Sequence, residues 1–500
     1  MTAGTAGCTV PVSSIAETPA ISVQFAGYSD NPIVYPSIHC EGYPDTKVDF
    51  RHVDSGVEGI GVMGLSRCNL SADGGSDAGF TVAASVGGSV VQSIHFTVDI
   101  LDDTFVGKDN SQQRAVFFSH GTGRSAAGYV LNYGVTDFPE PFPDQAYAYV
   151  GYDGSNWMED LVNSGYGEMT VGSLVLPAAH DAGMYVSSDP IGSALRVVGI
   201  CGQKVPSAGF LCGIALVGEQ ALSNLALTQK DDFASQLRIG TRYFDIRPGY
   251  PVGQMPGDAN VTHIHNFIPG GHLSDMLDDI SAFLSTNTSE FVVLRVHGNG
   301  IDTGFFTFQE KASLTAMLQA HIAASVGYAF FEDIATFNGK TLREMAAGTS
   351  RVLVQYGADS SVSPPINDSY GSGYEKSLTD PQYVVQAIAA ALQACPTGTD
   401  QYTVLQLQDT GSGAIEKDVT DIEKFPINWV EDLGFSPYGN VQQATKPVFD
   451  ASTYNWLIRE STRQGFTVCR TPIVLLNDFV DVALTSHAIG LSKYRYDHPN

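Results

Sequence analysis

Positive charge is scarce in this chain. Its 500 residues carry 26 Lys and Arg against 53 Asp and Glu, a formal net charge of −27, so nucleic acid and anionic membrane surfaces are repelled and neither DNA nor RNA is expected as a partner. Charged residues of all kinds make up only 16%, while hydrophobic residues reach 43%, which argues for packed cores and against wholesale disorder. No apolar run is long enough to span a bilayer, and the N-terminal MTAGTAGCTVPVSS has neither the basic nor the apolar region of a signal peptide. The reading that follows is a chain without leader or anchor, cytoplasmic in preference to secreted. The seven cysteines, Cys8, Cys40, Cys68, Cys201, Cys212, Cys395 and Cys469, show no C-x-x-C or zinc spacing, so no metal centre is expected and reduced thiols are the default. Cys40 with Cys68 and Cys201 with Cys212 are the pairs to consider in an oxidising compartment. No internal repeat is visible, which leaves a solenoid or propeller unsupported.

What is present divides the chain in two. From about residue 20 to 150, short alternating runs such as Ile21 to Phe25, Gly79 to Val86 and Ser93 to Ile100 are separated by Gly, Asp, Ser and Pro clusters, the pattern of an antiparallel all-β sandwich. YVLNYGVTDF and QAYAYVGYDG, within Gly128 to Tyr152, read as two further strands. After Gly154 apolar strands alternate with amphipathic segments, which signals βα units around a parallel sheet. Residues 1–153 are thus expected to form the sandwich, a candidate binding module, and residues 154–500 a TIM-type (β/α) barrel. The barrel strand candidates are Ser173 to Pro177, Thr241 to Ile246, Thr262 to Phe267, Phe291 to Val296, Arg351 to Tyr356, Thr403 to Gln408 and Thr471 to Leu476. The helical segments are Ser223 to Leu237, Leu273 to Thr286, Phe308 to Val326, Pro381 to Ala394 and Ser452 to Gln464. The apolar, Gly-rich stretch Ser193 to Leu216 reads as an insertion, either a cap over the barrel mouth, a lipid contact or a buried hairpin.

Four strand ends carry titratable residues where an apolar strand should simply finish, and strand C-termini form the rim of a barrel active site. They are His180-Asp181, Asp245-Ile-Arg247, His263-Ile-His265 and Asn477-Asp478. Two imidazoles can take and give the protons of phosphodiester cleavage, because their ordinary pKa lies near neutrality. A carboxylate can hold each ring in one tautomer, and Arg247 offers paired donors to phosphate oxygens. His263 lies on the face of His265, where lining the barrel and a structural hydrogen bond are equally open readings. Trp157 reads as core at the barrel bottom or between domains.

These motifs, taken in order, resemble the phosphatidylinositol-specific phospholipase C X-domain superfamily, PLC-like phosphodiesterases, in its bacterial-type metal-independent branch. The likeness runs from Asn156-Trp-Met-Glu-Asp-Leu through Ser173-Leu-Val-Leu-Pro-Ala-Ala-His-Asp-Ala-Gly and Gln236-Leu-Arg-Ile-Gly-Thr-Arg-Tyr-Phe-Asp-Ile-Arg to Leu476-Asn-Asp-Phe. The resemblance implies a phosphoric diester hydrolase or lyase in lipid metabolism, with His180 as general base oriented by Asp478 and His265 as general acid assisted by Asp181. It implies that Arg247 holds the phosphate where the calcium-dependent branch uses a cation, with Asp245 in the same network, and that no metal or cofactor is needed. The implied substrate is a phospholipid, phosphatidylinositol foremost, met during transient contact with a membrane surface. The products are diacylglycerol and a cyclic inositol phosphate. Asn367-Asp-Ser-Tyr resembles the segment whose Asp and Tyr contact the inositol ring, so Asp368 and Tyr370 join the substrate-binding set. His297 and Gln355 stand where bacterial relatives carry Lys and Arg; Ala178-Ala179 and Asn266 also depart from the pattern. Those departures keep two alternatives open: a phosphodiesterase on a non-inositol substrate, or a membrane- or glycan-binding protein whose barrel is a scaffold.

Overall fold

A computed structural model describes the strands lying between residues 22 and 152, and residues 153–186, 227–251, 261–265, 268–297, 311–330, 334–348, 350–357, 366–369, 381–396, 401–408, 445 and 449–499. The expected insertion from Ser193 to Leu216 lies outside the described residues.

The N-terminal strands form two sheets. One has six strands in the spatial order His52–Val53, Gly56–Gly64, Ser22–Ser29, Gln145–Tyr152, Tyr129–Thr136, Phe118–Arg124. All its neighbours are antiparallel except Ser22–Ser29 with Gln145–Tyr152. The other runs Thr46–Lys47, Val34–Cys40, Asp77–Val86, Ser89–Asp99, Thr104–Gly107, antiparallel throughout. The two expected late strands are a register-matched pair, Tyr129 opposite Tyr152 and Thr136 opposite Gln145.

The rest is a mixed α/β unit built on one curled, all-parallel sheet of eight strands. Their spatial order is Tyr328–Phe330, Val352–Gly357, Val292–His297, Tyr243–Ile246, Val175–Ala179, Ile473–Asn477, Tyr402–Gln406, Ile366–Asp368. This arrangement is consistent with a TIM-like barrel. Both faces are covered, and the strands read accordingly as near-continuous apolar runs: Val175–Ala179 and Ile473–Asn477 are buried at every position. The two short edge strands, Tyr328–Phe330 and Ile366–Asp368, were not anticipated, since each has only three residues and too little pattern to be heard above a loop.

Two expectations need correction. Thr262 to Phe267 is not a barrel strand: Thr262–His265 pairs antiparallel with Pro248–Gly249 and Ile268–His272 in a separate three-stranded sheet. The physical reason lies in composition, because three of the four residues Thr-His-Ile-His are polar whereas a two-sided barrel strand is a near-continuous apolar run. Ser452 to Gln464 is not one helix either. It splits into Asp450–Leu457 and Glu460–Val468 at Arg459, whose backbone is extended. A terminal helix, Val482–Asp497, escaped notice because it is buried on most sides and so lacks the one-faced stripe that marks a surface helix. Its start is capped by Asp481, which accepts from Ala483 and Leu484.

Below the strands, Arg242 is fully buried and every donor it has is used. It donates through Nε to Glu290 (Oε2, 2.8 Å) and through the other nitrogens to the carbonyls of Leu237, Thr241, Gly154 and Ser155. Glu290 in turn accepts from the backbone of Met158 and Glu159. Trp157, 2% exposed, donates to the Gly240 carbonyl and packs with Tyr243 and Phe291, the core position expected of it. Cys395 and Cys469 form a disulfide. This pairing of residues 74 apart in sequence is a correction to the expectation of reduced thiols and has no local spacing signal. Among the described residues no helix is long and apolar enough to cross a membrane.

Candidate active site

The polar residues read as site candidates gather at one end of the eight-stranded sheet because each ends or follows a strand. His180 comes directly after Val175–Ala179, Arg247 after Tyr243–Ile246, and Asp478 after Ile473–Asn477. His297 and Asp368 are the last residues of their own strands. His265 arrives differently, on the small antiparallel sheet. That sheet is hooked over the same end by the Ile264 amide on the Arg247 carbonyl (2.8 Å) and the Gly271 amide on the Gly183 carbonyl (2.9 Å).

Asp181 is the hub. It is fully buried, and its backbone is left-handed at φ 42°, a conformation that a non-glycine residue adopts only when its surroundings hold it. The Thr228 hydroxyl and the Met184 amide both donate to its carbonyl (3.1 and 2.8 Å). Its Oδ1 receives Arg247 Nε at 2.8 Å and lies 3.2 Å from His263 Nε2. Its Oδ2 lies 3.5 Å from His180 Nε2 and 3.7 Å from His265 Nε2, and makes no hydrogen bond among the described residues. Three imidazoles and a guanidinium therefore converge on one carboxylate.

His180 Nδ1 is 2.8 Å from Asp478 Oδ1, and Gln229 ties down the carbonyls of both His180 and Asn477. Arg247 Nη2 lies 3.0 Å from His180 Nε2 and 3.2 Å from Asp245 Oδ2. A guanidinium only donates, so this contact requires a bare Nε2, with the ring proton on Nδ1 facing Asp478. The charges around the ring pull the other way. Burial opposes protonation, yet Asp181 and Asp478 outweigh it and push His180 up to about 9. The geometry describes the neutral ring; the electrostatics say that this ring binds a proton avidly once Arg247 is drawn aside. For His265 burial dominates over Asp181, and its pKa is pulled down to about 4. Burial alone would raise Asp181 and Asp245, but Arg247 with His180 and His265 in one case, and His297 with Arg247 in the other, hold both well below the usual carboxylate range.

Arg247 also lies where a metal would bind. His180, Asp181 and Asp245 offer ligand atoms within 4.8 Å of one another, the geometry of a cation site. The guanidinium contacts all three.

The expected substrate-side residues separate. His297 hydrogen-bonds Asp245 and is 31% exposed at its side chain. Asp368 is bound by Arg295 (3.2 Å) and Gln406 (2.8 Å). Gln355 is 1% exposed and accepts from the Tyr243 hydroxyl (3.1 Å), deeper in the sheet interior. Tyr370 and Asn266 lie outside the described residues. Arg295 and Gln406 went unremarked in the sequence, although a lone cation inside the apolar run Val292–His297 was signal enough for the first.

No family model matches the chain. Curated relatives do: a PI-PLC X domain-containing protein of Dictyostelium discoideum is 35% identical over 138 residues, 27% of this chain and 20% of that protein. PI-PLC X domain-containing protein 2 of Homo sapiens is 28% identical over 144 residues, 28% of this chain and 42% of that protein. The aligned stretch thus spans less than half of either relative. The fold is also similar to phosphatidylinositol-specific phospholipase C from Staphylococcus aureus, at 15% identity and a TM-score of 0.38, covering 68% of this chain and 96% of that one. The enzyme from Listeria monocytogenes compares at 17% identity and a TM-score of 0.37, covering 68% and 98%. The curated relatives bear out the resemblance read from the motifs, which is to the PI-PLC X-domain, PLC-like superfamily.

Proposed function

We propose that the chain cleaves a phosphodiester of an inositol phospholipid without a metal ion. The observation that carries this reading is the approach of His180 Nε2 and His265 Nε2 to the same Asp181 oxygen, at 3.5 and 3.7 Å, with Arg247 beside them. Both rings then face one phosphorus. The inositol 2-hydroxyl attacks; His180 takes its proton through Nε2 while Asp478 holds Nδ1. The bond from phosphorus to the diacylglycerol oxygen breaks, and His265 protonates that oxygen, leaving a cyclic inositol phosphate. Arg247 turns its donors from Asp245 and His180 to the non-bridging oxygens as their charge grows. The phosphate's own negative charge favours a protonated His265, which offsets the burial that keeps the empty site's ring neutral.

On this reading residues 154–500 are the catalytic barrel. The two N-terminal sheets stack as a β-sandwich in residues 1–153, a candidate binding module. An acidic chain meets a bilayer through apolar and aromatic contacts, briefly, and not through basic steering. Asp368 and His297 face the headgroup. A second reading has a specific observation behind it: Asp368 is already engaged by Arg295 and Gln406, and Gln355 is buried under Tyr243, which favours a diester with a different headgroup.

Release of inositol phosphate from phosphatidylinositol vesicles in the presence of EDTA tests the first reading. Wild type should turn over, while His180→Ala and His265→Ala should each lose about 10²-fold or more. Turnover of other diesters alone selects the second reading. Activity that requires calcium overturns the metal-free mechanism.

A further inference from the structure

His263 has no part in the scheme above, yet it is more tightly placed than either reacting imidazole. Its ring is fully buried. Nδ1 accepts the Arg247 backbone N–H at 3.3 Å, so the ring proton sits on Nε2, which donates to Asp181 Oδ1 at 3.2 Å. Gly183, two residues after Asp181, closes the other side: a methyl group there would lie 2.3 Å from His263 Cβ. A neutral ring is thus wedged between the Arg247 backbone and the Asp181 turn, with its one donor committed.

The consequence follows from how Asp181 is held. Oδ1 has two donors, Arg247 Nε and His263 Nε2, while Oδ2 has none among the described residues and lies near both reacting rings. Of the two anchors, Arg247 is the mobile one, because it also serves Asp245 and His180 and has to turn toward an arriving phosphate. Were it the sole anchor, the carboxylate would be free to rotate at the moment His265 needs it. We infer that His263 is a positioning residue that locks Asp181 through Oδ1, so that Oδ2 stays aimed at His265 while Arg247 engages the phosphate. This inference rests on the phosphodiesterase reading for its kinetic consequence, and on geometry alone for its placement.

Three full-length proteins test it: wild type, His263→Phe, which keeps the ring shape without polar atoms, and His263→Gln, whose amide reaches the Nε2 position. Each is assayed on a diester with an alkoxide leaving group and on one with an aryl leaving group that departs without an acid. His263→Phe should lose about 10- to 100-fold in kcat on the alkoxide substrate, the usual cost of removing an orienting partner. On the aryl substrate kcat should be nearly unchanged, KM should be unchanged on both, and His263→Gln should recover most of the loss. Equal losses on both substrates, or no recovery by Gln, overturn the inference, because a merely structural residue would give that result. NMR titration of the His265 ring separates this from failure of the phosphodiesterase reading. If wild type cleaves neither diester that reading fails, while a His265 midpoint displaced by His263→Phe and restored by His263→Gln still supports the lock, and an unmoved midpoint refutes it.

Discussion

Replacing Arg247 with Met would remove the guanidinium and keep most of the side-chain volume. Arg247 answers two carboxylates that are 0% and 2% exposed at their side chains, Asp181 and Asp245, and is itself only 21% exposed. Its loss strands two neighbouring buried charges. Breaking a buried pair from one side commonly costs about 3–5 kcal/mol, so the melting temperature should fall clearly. Loss of the donors that meet the developing phosphorane charge should cost a further 10²- to 10³-fold in kcat, by the usual order of magnitude for such groups. The variant also uncovers His180, Asp181 and Asp245, whose ligand atoms lie within 4.8 Å of one another. Calcium or manganese should therefore raise the melting temperature of Arg247→Met and leave wild type unmoved. The assays are differential scanning fluorimetry with and without divalent ions, and vesicle turnover with and without EDTA. A wild type stabilised by calcium to the same degree, or a variant that keeps near-normal EDTA-resistant turnover, would refute the argument that the guanidinium does a cation's work.

Stability should depend on pH through the two rings in opposite directions. His180 is raised to about 9, so its contribution is complete below its unfolded value near 6.5 and is lost as pH rises through about 9. His265 is lowered to about 4, so its contribution is present above about 6.5 and is lost as pH falls toward 4. Melting temperatures from pH 4 to 10 should show both limbs; His180→Asn should flatten the alkaline one only, and an alkaline limb unchanged in that variant would be decisive against it. Away from the site, Glu290→Gln should destabilise the fold by a few kcal/mol, because it leaves Arg242 buried without a counter-charge. The residual activity of its folded fraction at low temperature should match wild type, since Arg242 and Glu290 sit below the strands and not at the end that carries His180 and Arg247.

Much of the site could be read before any coordinates because strand ends punctuate the sequence. His180, Arg247 and Asp478 each follow an apolar run, and a polar residue in that place has few structural reasons to be there. His265 was found for a partly wrong reason: its segment carries the right residue to the right place, but on a small antiparallel sheet. Three of the four residues of Thr262–His265 are polar and not the apolar run of a two-sided strand, which is why the barrel assignment failed. Arg295 sits in the middle of its strand, away from the punctuating end, and burial of helix Val482–Asp497 on most sides erases its periodicity. The Cys395–Cys469 bond had no local signal at all, since it depends on two distant segments meeting.

Asn132, from the N-terminal strands, accepts the Val482 amide at 2.8 Å, and the Tyr149 hydroxyl reaches Asp450, which also holds Asn477. Asn477 is the immediate neighbour of Asp478. Trimming the protein at residue 153 would thus do more than shed an appendage: it would orphan an amide at the head of the last helix and loosen the carboxamide next to Asp478. Any engineer wishing to graft the α/β unit onto another module inherits those two residues with it, whatever the boundary drawn on the sequence.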